Sequence, residues 1–564
     1  MKSIILCGIN AKFSHSSLSL LCLKHAAKRD VDTLEFSIND SVPSIVRAIA
    51  LKTPAAAGFS CYIWNIEHVL KVASSLKKIL PGCLILLGGP EVSFGGEDLM
   101  RQNPFIDIII RGAGELPFSH FAGLLETGYI YGTPSANIRK GDEIITTSDA
   151  PPYDMNNTPF MYGDLSEFRN KIVYYETSRG CPFRCAYCMS ANEDVSFLPA
   201  ERVKAELEYF MQSGIKQVKF VDRTFNFPAG RAYEIIEALI GLSEAYPDSK
   251  TNFHLEITAS LLDDDMLSLL RKAKKGLLRL EVGIQSTNPD TLNAVNRRLD
   301  TRALLKNARE LCSMGNLRVH ADLIAGLPLE TYQSFKTSFN DVYGLGPHEL
   351  QLGFLKVLKG SPIRDMTGKY GIVYTSYAPY EVLSTNDISF AELSWLHYVE
   401  QALNLLYNSR LCVNALERLT ASFESAFDFF ESFALHLESA GWFSRSHKTK
   451  EVFETLHAFA VSRRIISDEL TEALLLDWLY FGKPGDYPSF LKSAADGDTE
   501  QLRSFLAGAE NIQKYIPEYS GLSSRESTRR LHIHTFSTIF PGKTTLLFDY
   551  GKRRDEEGFC QTVV

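Results

Sequence analysis

Apolar and polar residues alternate with two different periods over the first part of the chain. Short apolar runs bounded by polar residues or glycine recur at SIILCGI, TLEFSI, AAAGFS, CLILLGG and DIIIRG. Between them lie stretches with apolar residues every three or four positions, such as SLLCLKHAAKRD and IEHVLKVASSLKKIL. The first pattern is typical of buried strands and the second of amphipathic helices. Their alternation predicts an α/β, doubly wound parallel sheet over residues 1–135, with a ligand site at the carboxyl ends of its strands.

The same alternation returns after a polar, proline-rich stretch. Residues 136–167, which include TTSDAPPYDMNNTPF, are predicted to be a linker. Six further strands are predicted within residues 168–385, at IVYYETS, QVKFVD, FHLEIT, LLRLEVGIQ, LRVHADLIAG and LQLGFLKVL. Helical stretches separate them. This pattern predicts a full or partial (β/α) barrel, whose chemistry lies at the C-terminal ends of its strands.

The last region, residues 386–564, has a different pattern. Helical periodicity runs through LSWLHYVEQALNLLYNS, FDFFESFALHLESAGWF, KEVFETLHAFAVSRR and DELTEALLLDWLYFG. These aromatic-rich stripes predict a mainly α-helical domain in which they form the packing surface. The segments RRLHIHTFS and TTLLFDY, joined through IFPGK, predict a small β-hairpin near the end.

Length and charge narrow the classes of function. A chain of 564 residues is too long for one compact core, which favours two to four domains. No apolar run approaches the roughly 18–20 residues that span a bilayer, and the N-terminus has no small-residue cleavage site. We therefore expect a cytoplasmic protein with no membrane partner. The net charge of −8 argues against nucleic-acid binding by the molecule as a whole.

One local cluster opposes that net charge. Glu526 and Asp549 are the acidic residues within a span that holds seven basic ones: Arg525, Arg529, Arg530, Lys543, Lys552, Arg553 and Arg554. A solvated basic surface is the ordinary interpretation. The alternative is a phosphate-contacting patch for an RNA or nucleotide substrate, with Arg530, His532 and His534 on one exposed strand face.

Three of the ten cysteines lie close together in the sequence. Seven are scattered singly, mostly among apolar residues, as small buried side chains usually are. Cys181, Cys185 and Cys188 instead share the loop SRGCPFRCAYC, directly after the first predicted barrel strand. Thiolates suit iron, and three of them can ligate three irons of a cubane while leaving the fourth iron open. Structural zinc prefers four closed ligands, so this spacing fits zinc poorly.

The CxxxCxxC spacing, with Tyr187 before the last cysteine, resembles the signature of the radical S-adenosylmethionine (SAM) superfamily. The resemblance implies a [4Fe–4S] cluster on the three cysteines, SAM on the open iron, and an external electron donor such as flavodoxin or ferredoxin. The segments VKFVDRTFNF, FHLEITAS, LRLEVGIQSTNPDTL and HADLIAGLPLET resemble later strand ends of that superfamily. They imply SAM contacts by Tyr187, Asp222, Glu256, Glu281, Gln285 and Asp322. An acidic residue at a strand end also commonly caps a helix or forms an ion pair.

Three loops of the first region resemble those of the cobalamin-binding domain found ahead of many radical SAM domains. They are GFSCYIWN (58–65), LGGPEVS (87–93) and IIRGAGE (109–115). The resemblance implies cobalamin contacts by Ser60, Tyr62, Ile63, Trp64, Gly88, Gly89, Pro90, Glu91, Val92, Gly112, Gly114 and Glu115. The Asp-x-His-x-x-Gly loop of cobalamin mutases is absent around His15, so we expect no protein histidine on the cobalt. The alternative is a flavodoxin-like domain that binds nothing, since turns need glycine anyway.

Together these features resemble cobalamin-dependent radical SAM enzymes. The resemblance implies a methyltransferase that acts on an unactivated carbon through a 5′-deoxyadenosyl radical and methylcobalamin. It assigns no catalytic side chain, because the cofactors supply the difficult chemistry. An RNA- or tRNA-modifying enzyme, a radical rearrangement or cyclisation enzyme, and a non-enzymatic cobalamin sensor remain alternatives.

Overall fold

The computed structural model describes residues 2–192, 194–481, 486–493, 498–552 and 560–564. It divides into two compact units, Met1–Phe390 and Ala391–Val564. None of the described helices has the length and apolar character that a membrane span requires.

The first unit begins with a seven-stranded sheet. Its strands are β1 (Ile4–Asn10), β2 (Asp32–Ser37), β3 (Ala56–Ser60), β4 (Leu84–Gly88), β5 (Ile108–Ile110), β6 (Ala136–Lys140) and β7 (Glu143–Thr146). Their order is β2-β1-β3-β4-β5-β6-β7, with β1–β5 parallel and the last two strands antiparallel. The doubly wound sheet is confirmed. The prediction of a linker from residue 136 is wrong for the first part of that segment, because β6 and β7 extend this sheet.

Helices cover both faces of this sheet because successive side chains of its strands point to opposite faces. The helices are α1 (Leu18–Ala26), α2 (Val42–Ala50), α3 (Ile66–Ile79), α4 (Gly96–Gln102) and α5 (Glu115–Leu124). Ile5, Cys7 and Ile9 share one core with α2 and α3, while Ile4 and Leu6 share another with α1 and α5. Successive side chains of β1 therefore supply opposite cores.

A second parallel sheet follows within the same unit. Its region contains β8 (Ile172–Tyr175), β9 (Ser178–Arg179), β10 (Ser196–Phe197), β11 (Gln217–Phe220), β12 (Asn252–Ile257), β13 (Leu278–Gln285), β14 (Arg318–Ala325), β15 (Glu349–Phe354), β16 (Val373–Tyr374) and β17 (Val382–Ser384). The helices are α6 (Ala200–Ser213), α7 (Ala229–Ala245), α8 (Asp264–Leu270), α9 (Pro289–Ala294), α10 (Thr301–Ser313), α11 (Tyr332–Tyr343) and α12 (Thr367–Tyr370). Six strands pair in the order β15-β14-β13-β12-β11-β8, which corresponds to the predicted partial barrel.

Alternation within these six strands separates apolar from polar side chains. In β13 the residues Leu278, Leu280, Val282 and Ile284 are buried, and the intervening polar residues are only partly buried. β14 repeats this alternation along its length. One face of the sheet therefore forms the apolar core, and the other carries a row of charged side chains.

The second unit is mainly helical, as predicted. Its helices are α13 (Phe390–Leu403), α14 (Val413–Ala421), α15 (Ala426–Ser439), α16 (Thr449–Ser462), α17 (Asp468–Phe481), α18 (Asp498–Ala507), α19 (Ala509–Tyr515) and α20 (Ser524–Thr528). The predicted hairpin is β18 (Leu531–Phe536) and β19 (Thr544–Asp549), to which β20 (Cys560–Val563) adds a third antiparallel strand.

The predicted exposed histidine face of the hairpin is wrong. His532 and His534 are both buried, because α18 covers that face of β18. Asp498 of α18 lies 2.9 Å from His532 Nε2 and 2.8 Å from His534 Nδ1. Lys552 pairs with Glu518 at 2.5 Å. Arg553 and Arg554, two further members of the predicted basic patch, lie outside the described residues.

Candidate cofactor site

The three-cysteine loop lies directly after β8 and is held at its base by backbone pairing. β9 pairs antiparallel with β10, which brings the two ends of the loop together. Gly180 has a φ of +92°, and a Cβ at this position would lie 2.3 Å from the Asp194 carbonyl oxygen. Glycine is therefore required here by both conformation and close approach. The turn that leads into Cys181 is therefore tightly constrained.

The cysteines border a cavity of about 190 Å³ at the C-terminal ends of the strands of the second sheet. Its lining consists of Cys181, Phe183, Cys185, Tyr187, Cys188, Arg223, Thr224, Glu256, Ile257, Thr258, Glu281, Gly283, Gln285, Arg297 and Asp322. The structure thus brings together five of the six residues predicted for SAM contact with all three cysteines.

Two neighbouring carboxyl groups in this cavity have opposite pKa shifts. Burial and the charge of Glu281 raise the pKa of Glu256 to about 7. Burial also opposes ionisation of Glu281, but a hydrogen bond from His254 and the charge of Lys219 outweigh it and lower its pKa to about 2. Lys219 Nζ lies 3.0 Å from Glu281 Oε2 and 3.9 Å from Glu256 Oε1. The surroundings therefore favour the ionised form of Glu281 and the protonated form of Glu256.

Asp322 and His320 extend the polar row onto the next strand. His320 Nε2 lies 3.1 Å from Asp322 Oδ1. Burial raises the pKa of Asp322. Burial lowers the pKa of His320, but the hydrogen bond and charge of Asp322 reverse this and leave the pKa raised. Sequence reasoning missed His320 and His254, although each lies two residues before a predicted acidic residue and so on the same strand face.

Gln285 ends β13 at an irregular point of the sheet. The register between β13 and β14 shifts at Gly283 and Gln285, and Gln285 has a φ of +73°. Its buried Oε1 has no hydrogen-bond partner among the described residues. A buried acceptor that lines a cavity and lacks a partner fits a site that receives a polar ligand.

Asp222, the sixth predicted SAM contact, does not line the cavity. It is fully buried and accepts hydrogen bonds from the Thr177 backbone N–H and from the Thr177 and Ser178 hydroxyl groups. Burial raises its pKa although these hydrogen bonds oppose that shift. Asp222 thus supports the segment that leads into Gly180 and Cys181.

Arg297 is a residue of the cavity that sequence reasoning missed. Its Nη1 donates to Cys185 Sγ at 3.5 Å and to Tyr187 Oη at 3.3 Å, and its Nη2 donates to the Gly283 carbonyl oxygen. Arg297 follows a helix rather than a strand, and it lies 112 positions from Cys185. The strand-end pattern therefore gave no signal for it.

The donor set around the cavity fits an iron–sulfur cluster better than a single metal ion. Among the described residues, no three His, Cys, Asp or Glu side chains converge closely enough to hold one ion. The three thiols instead border a shared cavity, and a guanidinium already donates to one sulfur. Thiolate ligands with a hydrogen-bond donor to sulfur are what such clusters use.

The loops after β3 and β4 pack backbone against backbone. Cys61 N–H donates to the Gly88 carbonyl oxygen at 2.7 Å. Gly89 has a φ of +111°, and a Cβ there would lie 2.7 Å from the Cys61 carbonyl oxygen. Beside this contact the rings of Tyr62 and Trp64 are stacked with centroids 4.3 Å apart, and Trp64 is 48% exposed. These loops therefore present a flat aromatic surface at the carboxyl edge of the first sheet.

The other predicted cobalamin contacts divide into two groups. Ser60, Ile63, Gly88, Pro90, Gly112 and Gly114 lie in the same carboxyl-edge loops or at their ends. Val92, Glu91 and Glu115 are buried. Two exposed aromatic residues of these loops, Phe13 at 80% and Phe94 at 46% exposed, were not predicted. Their apolar character within glycine- and serine-rich loops was the available signal.

Glu91 and Glu115 join the two sheets of the first unit. Lys359 Nζ lies 2.8 Å from Glu91 Oε1, and the Tyr380 hydroxyl group donates to the same oxygen. Arg179 Nη2 donates to Glu115 Oε1 at 2.7 Å. Because Arg179 lies two residues before Cys181, the carboxyl edge of the first sheet is attached directly to the cysteine loop.

His15, in the loop after β1, has a partner in the second sheet. Its Nδ1 lies 2.6 Å from the Tyr174 hydroxyl oxygen. Burial, assisted by the charges of Lys12 and Lys219, lowers its pKa. Its ring is thus already engaged in joining β8 to the first sheet.

Comparison with protein families gives three matches along the chain. Residues 5–122 match the B12 binding domain, and residues 175–342 match the radical SAM superfamily. Residues 368–548 match a family described as a protein of unknown function, DUF4080. The first match spans the parallel strands of the first sheet, and the second spans β11–β14 of the second sheet.

Two curated relatives are similar in sequence to this chain over part of their length. A 2-(S-pantetheinyl)-carbapenam-3-carboxylate methyltransferase of Streptantibioticus cattleyicolor is 27% identical over 354 residues, which is 58% of this chain and 50% of the relative. The cobalamin-dependent radical SAM methyltransferase TokK of Streptomyces tokunonensis is 25% identical over 57% of this chain and 50% of the relative. The chain thus spans half the length of these two relatives.

Two solved structures have a similar fold. The cobalamin-dependent SAM radical enzyme OxsB, with aqua-cobalamin bound, has a TM-score of 0.59 and 13% identity, covering 85% of this chain and 80% of that one. The radical SAM methyltransferase TsrM from Kitasatospora setae has a TM-score of 0.55 and 16% identity, covering 67% of this chain and 78% of that one.

Proposed function

We propose that this chain, in which a B12-binding domain precedes a radical SAM domain, is a cobalamin-dependent methyltransferase for an unactivated carbon of a small molecule. The observation that carries the proposal is the attachment of Glu115 to Arg179 at 2.7 Å. It joins the carboxyl edge of the first sheet to the cysteine loop. Two relatives with methyltransferase in their names support the reaction class.

The side chains of the cavity and those of the carboxyl-edge loops would bind different groups. Cys181, Cys185 and Cys188 would hold a [4Fe–4S] cluster, and Tyr62 and Trp64 would contact cobalamin. Glu256, Glu281, Gln285, Asp322 and Tyr187 would surround SAM. When bound, these groups supply the electron that cleaves SAM to a 5′-deoxyadenosyl radical and the methyl group that is transferred.

The chain itself positions and shields these groups. Glu281, held ionised by Lys219 and His254, offers a fixed acceptor, and Gln285 Oε1 offers a second acceptor that has no partner in the described part of the chain. Fixed acceptors of this kind hold a polar ligand in one orientation. The proposal includes a flavodoxin- or ferredoxin-type electron donor. It also includes a cytoplasmic location, because free cysteines such as these persist in reducing compartments.

The experiment uses anaerobically reconstituted full-length protein with hydroxocobalamin, dithionite, methyl-deuterated SAM and fractionated metabolite extracts. We expect S-adenosylhomocysteine and 5′-deoxyadenosine in equal amounts, together with a product that carries a trideuteromethyl group in mass spectra. The variant without cluster ligands is Cys181→Ala/Cys185→Ala/Cys188→Ala. Its matched control is Cys7→Ala/Cys83→Ala/Cys312→Ala, which replaces three cysteines outside the loop. Deoxyadenosine without S-adenosylhomocysteine in every fraction would show radical chemistry without methyl transfer and contradict the proposal.

A further inference from the structure

Exposed basic side chains form a row along α10, starting next to the cavity. Arg298, Arg302, Lys306 and Arg309 are all exposed. Within α10 the last three are separated by four and three residues, so they share one face of the helix. Between 297 and 309 the chain has five basic residues and one acidic residue, against a net charge of −8 for the whole protein. We call Arg298, Arg302, Lys306 and Arg309 the α10 basic row.

The segment that leads into this row contacts the cysteine loop. Asn296 Nδ2 donates to the Arg184 carbonyl oxygen at 2.9 Å, and Arg297 Nη1 donates to Cys185 Sγ at 3.5 Å. Arg298 follows immediately in the chain. The N-terminal end of the α10 basic row is therefore one residue from a side chain that touches a cysteine sulfur.

Three of the four charges of the row are not neutralised by any residue that the structure describes. Arg298, Arg302 and Lys306 form no ion pair with any residue in the part of the chain that the structure describes. The nearest acidic residue in sequence, Asp300, accepts from the backbone N–H groups of Arg302 and Ala303 at 3.0 and 3.1 Å as the N-cap of α10. The positive charge of Arg298, Arg302 and Lys306 is thus available to a partner.

From this placement we infer that the α10 basic row is the docking surface for a small acidic one-electron carrier protein that reduces the cluster. The inference rests on the proposed cluster at Cys181, Cys185 and Cys188, and it adds the partner and its surface. A negatively charged carrier is repelled by the molecule as a whole and attracted by this row. Complementary charge of this kind mainly raises the association rate. Docking beside Arg297 brings the carrier next to the one cysteine sulfur that this arginine contacts.

The test measures cluster reduction instead of product formation. A bacterial flavodoxin held as the hydroquinone is mixed anaerobically with reconstituted holoenzyme, and its oxidation is followed by stopped-flow absorbance while the reduced cluster is quantified by electron paramagnetic resonance. In Arg298→Glu/Arg302→Glu/Lys306→Glu we expect the second-order rate constant at low ionic strength to fall by about tenfold or more. The parent rate should decrease with added salt, and the variant should lose most of that dependence.

Two controls separate this inference from the proposed function. Dithionite should reduce the clusters of parent and variant equally, which shows that folding and the cluster are intact. The charge-matched variant Arg47→Glu/Lys71→Glu/Lys78→Glu reverses exposed residues of α2 and α3 and should keep the parent rate. An equal decrease of the second-order rate constant in both triple variants, or an unchanged rate constant in the α10 variant, would overturn the inference. So would tRNA binding that the α10 substitutions abolish while flavodoxin reduction is unchanged. Failure of methyl transfer with dithionite would count against the proposed function alone.

Discussion

At the scale of single residues, Arg297 has the most direct effect on the cysteine loop. Its guanidinium donates to Cys185 Sγ at 3.5 Å and is fixed by the Gly283 carbonyl oxygen. Hydrogen bonds and positive charge beside cluster sulfurs raise the reduction potential, because they stabilise the added electron. We expect Arg297→Met to lower the cluster potential by on the order of tens of millivolts. The cluster potential of Arg297→Lys should lie between the potentials of Arg297→Met and the parent.

The measurement is a redox titration monitored by electron paramagnetic resonance, with iron and sulfide content determined for each variant. Arg302→Met, on the exposed face of α10, serves as the control for loss of one arginine. Equal potentials in the Met variant and the parent, at full iron content, would contradict a role for this contact.

His15 gives a second prediction at this scale. Because the Asp-x-His-x-x-Gly loop is absent around His15, whose Nδ1 lies 2.6 Å from the Tyr174 hydroxyl oxygen, we expect no histidine on the cobalt. Electron paramagnetic resonance of the protein loaded with cob(II)alamin should show no nitrogen superhyperfine splitting from the chain. Splitting that vanishes in His15→Ala and persists in His25→Ala would show that His15 is a ligand.

Most of the predictions about single residues came from local sequence motifs. The cysteine spacing located one wall of the cavity, and strand alternation located Glu256, Glu281 and Asp322 on another. Arg297 was missed because its proximity depends on the path of the chain after α9. Asp222 was predicted at a strand end, but alternation does not distinguish a side chain that faces the cavity from one buried beneath the adjoining loop.

At the scale of elements, Asp477 of α17 fixes the start of α14. It is fully buried and accepts from the backbone N–H groups of Asn414 and Ala415 and from the Asn414 side chain. Asp477→Ala leaves these donors without an acceptor, so we expect a loss of about 3 kcal/mol in local stability. Hydrogen exchange of the α14 amides measures it, because a two-unit chain need not unfold in one step. Exchange unchanged in α14 would contradict this capping role.

The same residue predicts a pH dependence. Burial raises the pKa of Asp477 to about 7 from an ordinary 3.8, despite the hydrogen bonds that oppose the shift. Between these values the folded unit holds a proton that the unfolded chain has lost, so stability falls as pH rises through this window and levels off above it. In Asp477→Asn this decline should be smaller when α14 exchange is compared at pH values near the two ends. Equal declines in parent and variant would exclude Asp477 as its source.

Element types were predictable wherever the apolar period was clear, and pairing partners were not. All six strands of the second sheet were predicted from their alternation. β6 and β7 were missed because their polar, proline-flanked sequence gives a weak strand signal, and their position depends on pairing with β5. For β18 the alternation predicted one exposed face, but α18 covers it, and nothing local to the hairpin indicates a helix from outside it.

At the scale of the whole first unit, ion pairs connect the sheet that would bind cobalamin to the barrel that would bind the cluster. Glu115 begins α5 and accepts from Arg179, which also pairs with Glu176 at 2.7 Å. Glu115→Ala therefore removes the ion pair that joins the first sheet to the cysteine loop, while Arg179 keeps one carboxylate partner and Lys359 keeps Glu91. Loss of a fixed relative position of two reacting groups reduces their coupling more than it reduces either reaction alone.

On the proposed function, we expect Glu115→Ala to retain its iron and its bound cobalamin but to form more 5′-deoxyadenosine than S-adenosylhomocysteine. Each excess deoxyadenosine marks a radical event that did not end in methyl transfer. Glu126→Ala is the matched control, because Glu126 follows the other end of α5 and pairs with Arg29 at 2.9 Å, away from the cysteine loop. The two products are quantified by liquid chromatography in the same anaerobic reaction. If both products fall together in Glu115→Ala and their ratio remains that of the parent, the ion pair contributes stability and does not set the position of one cofactor relative to the other.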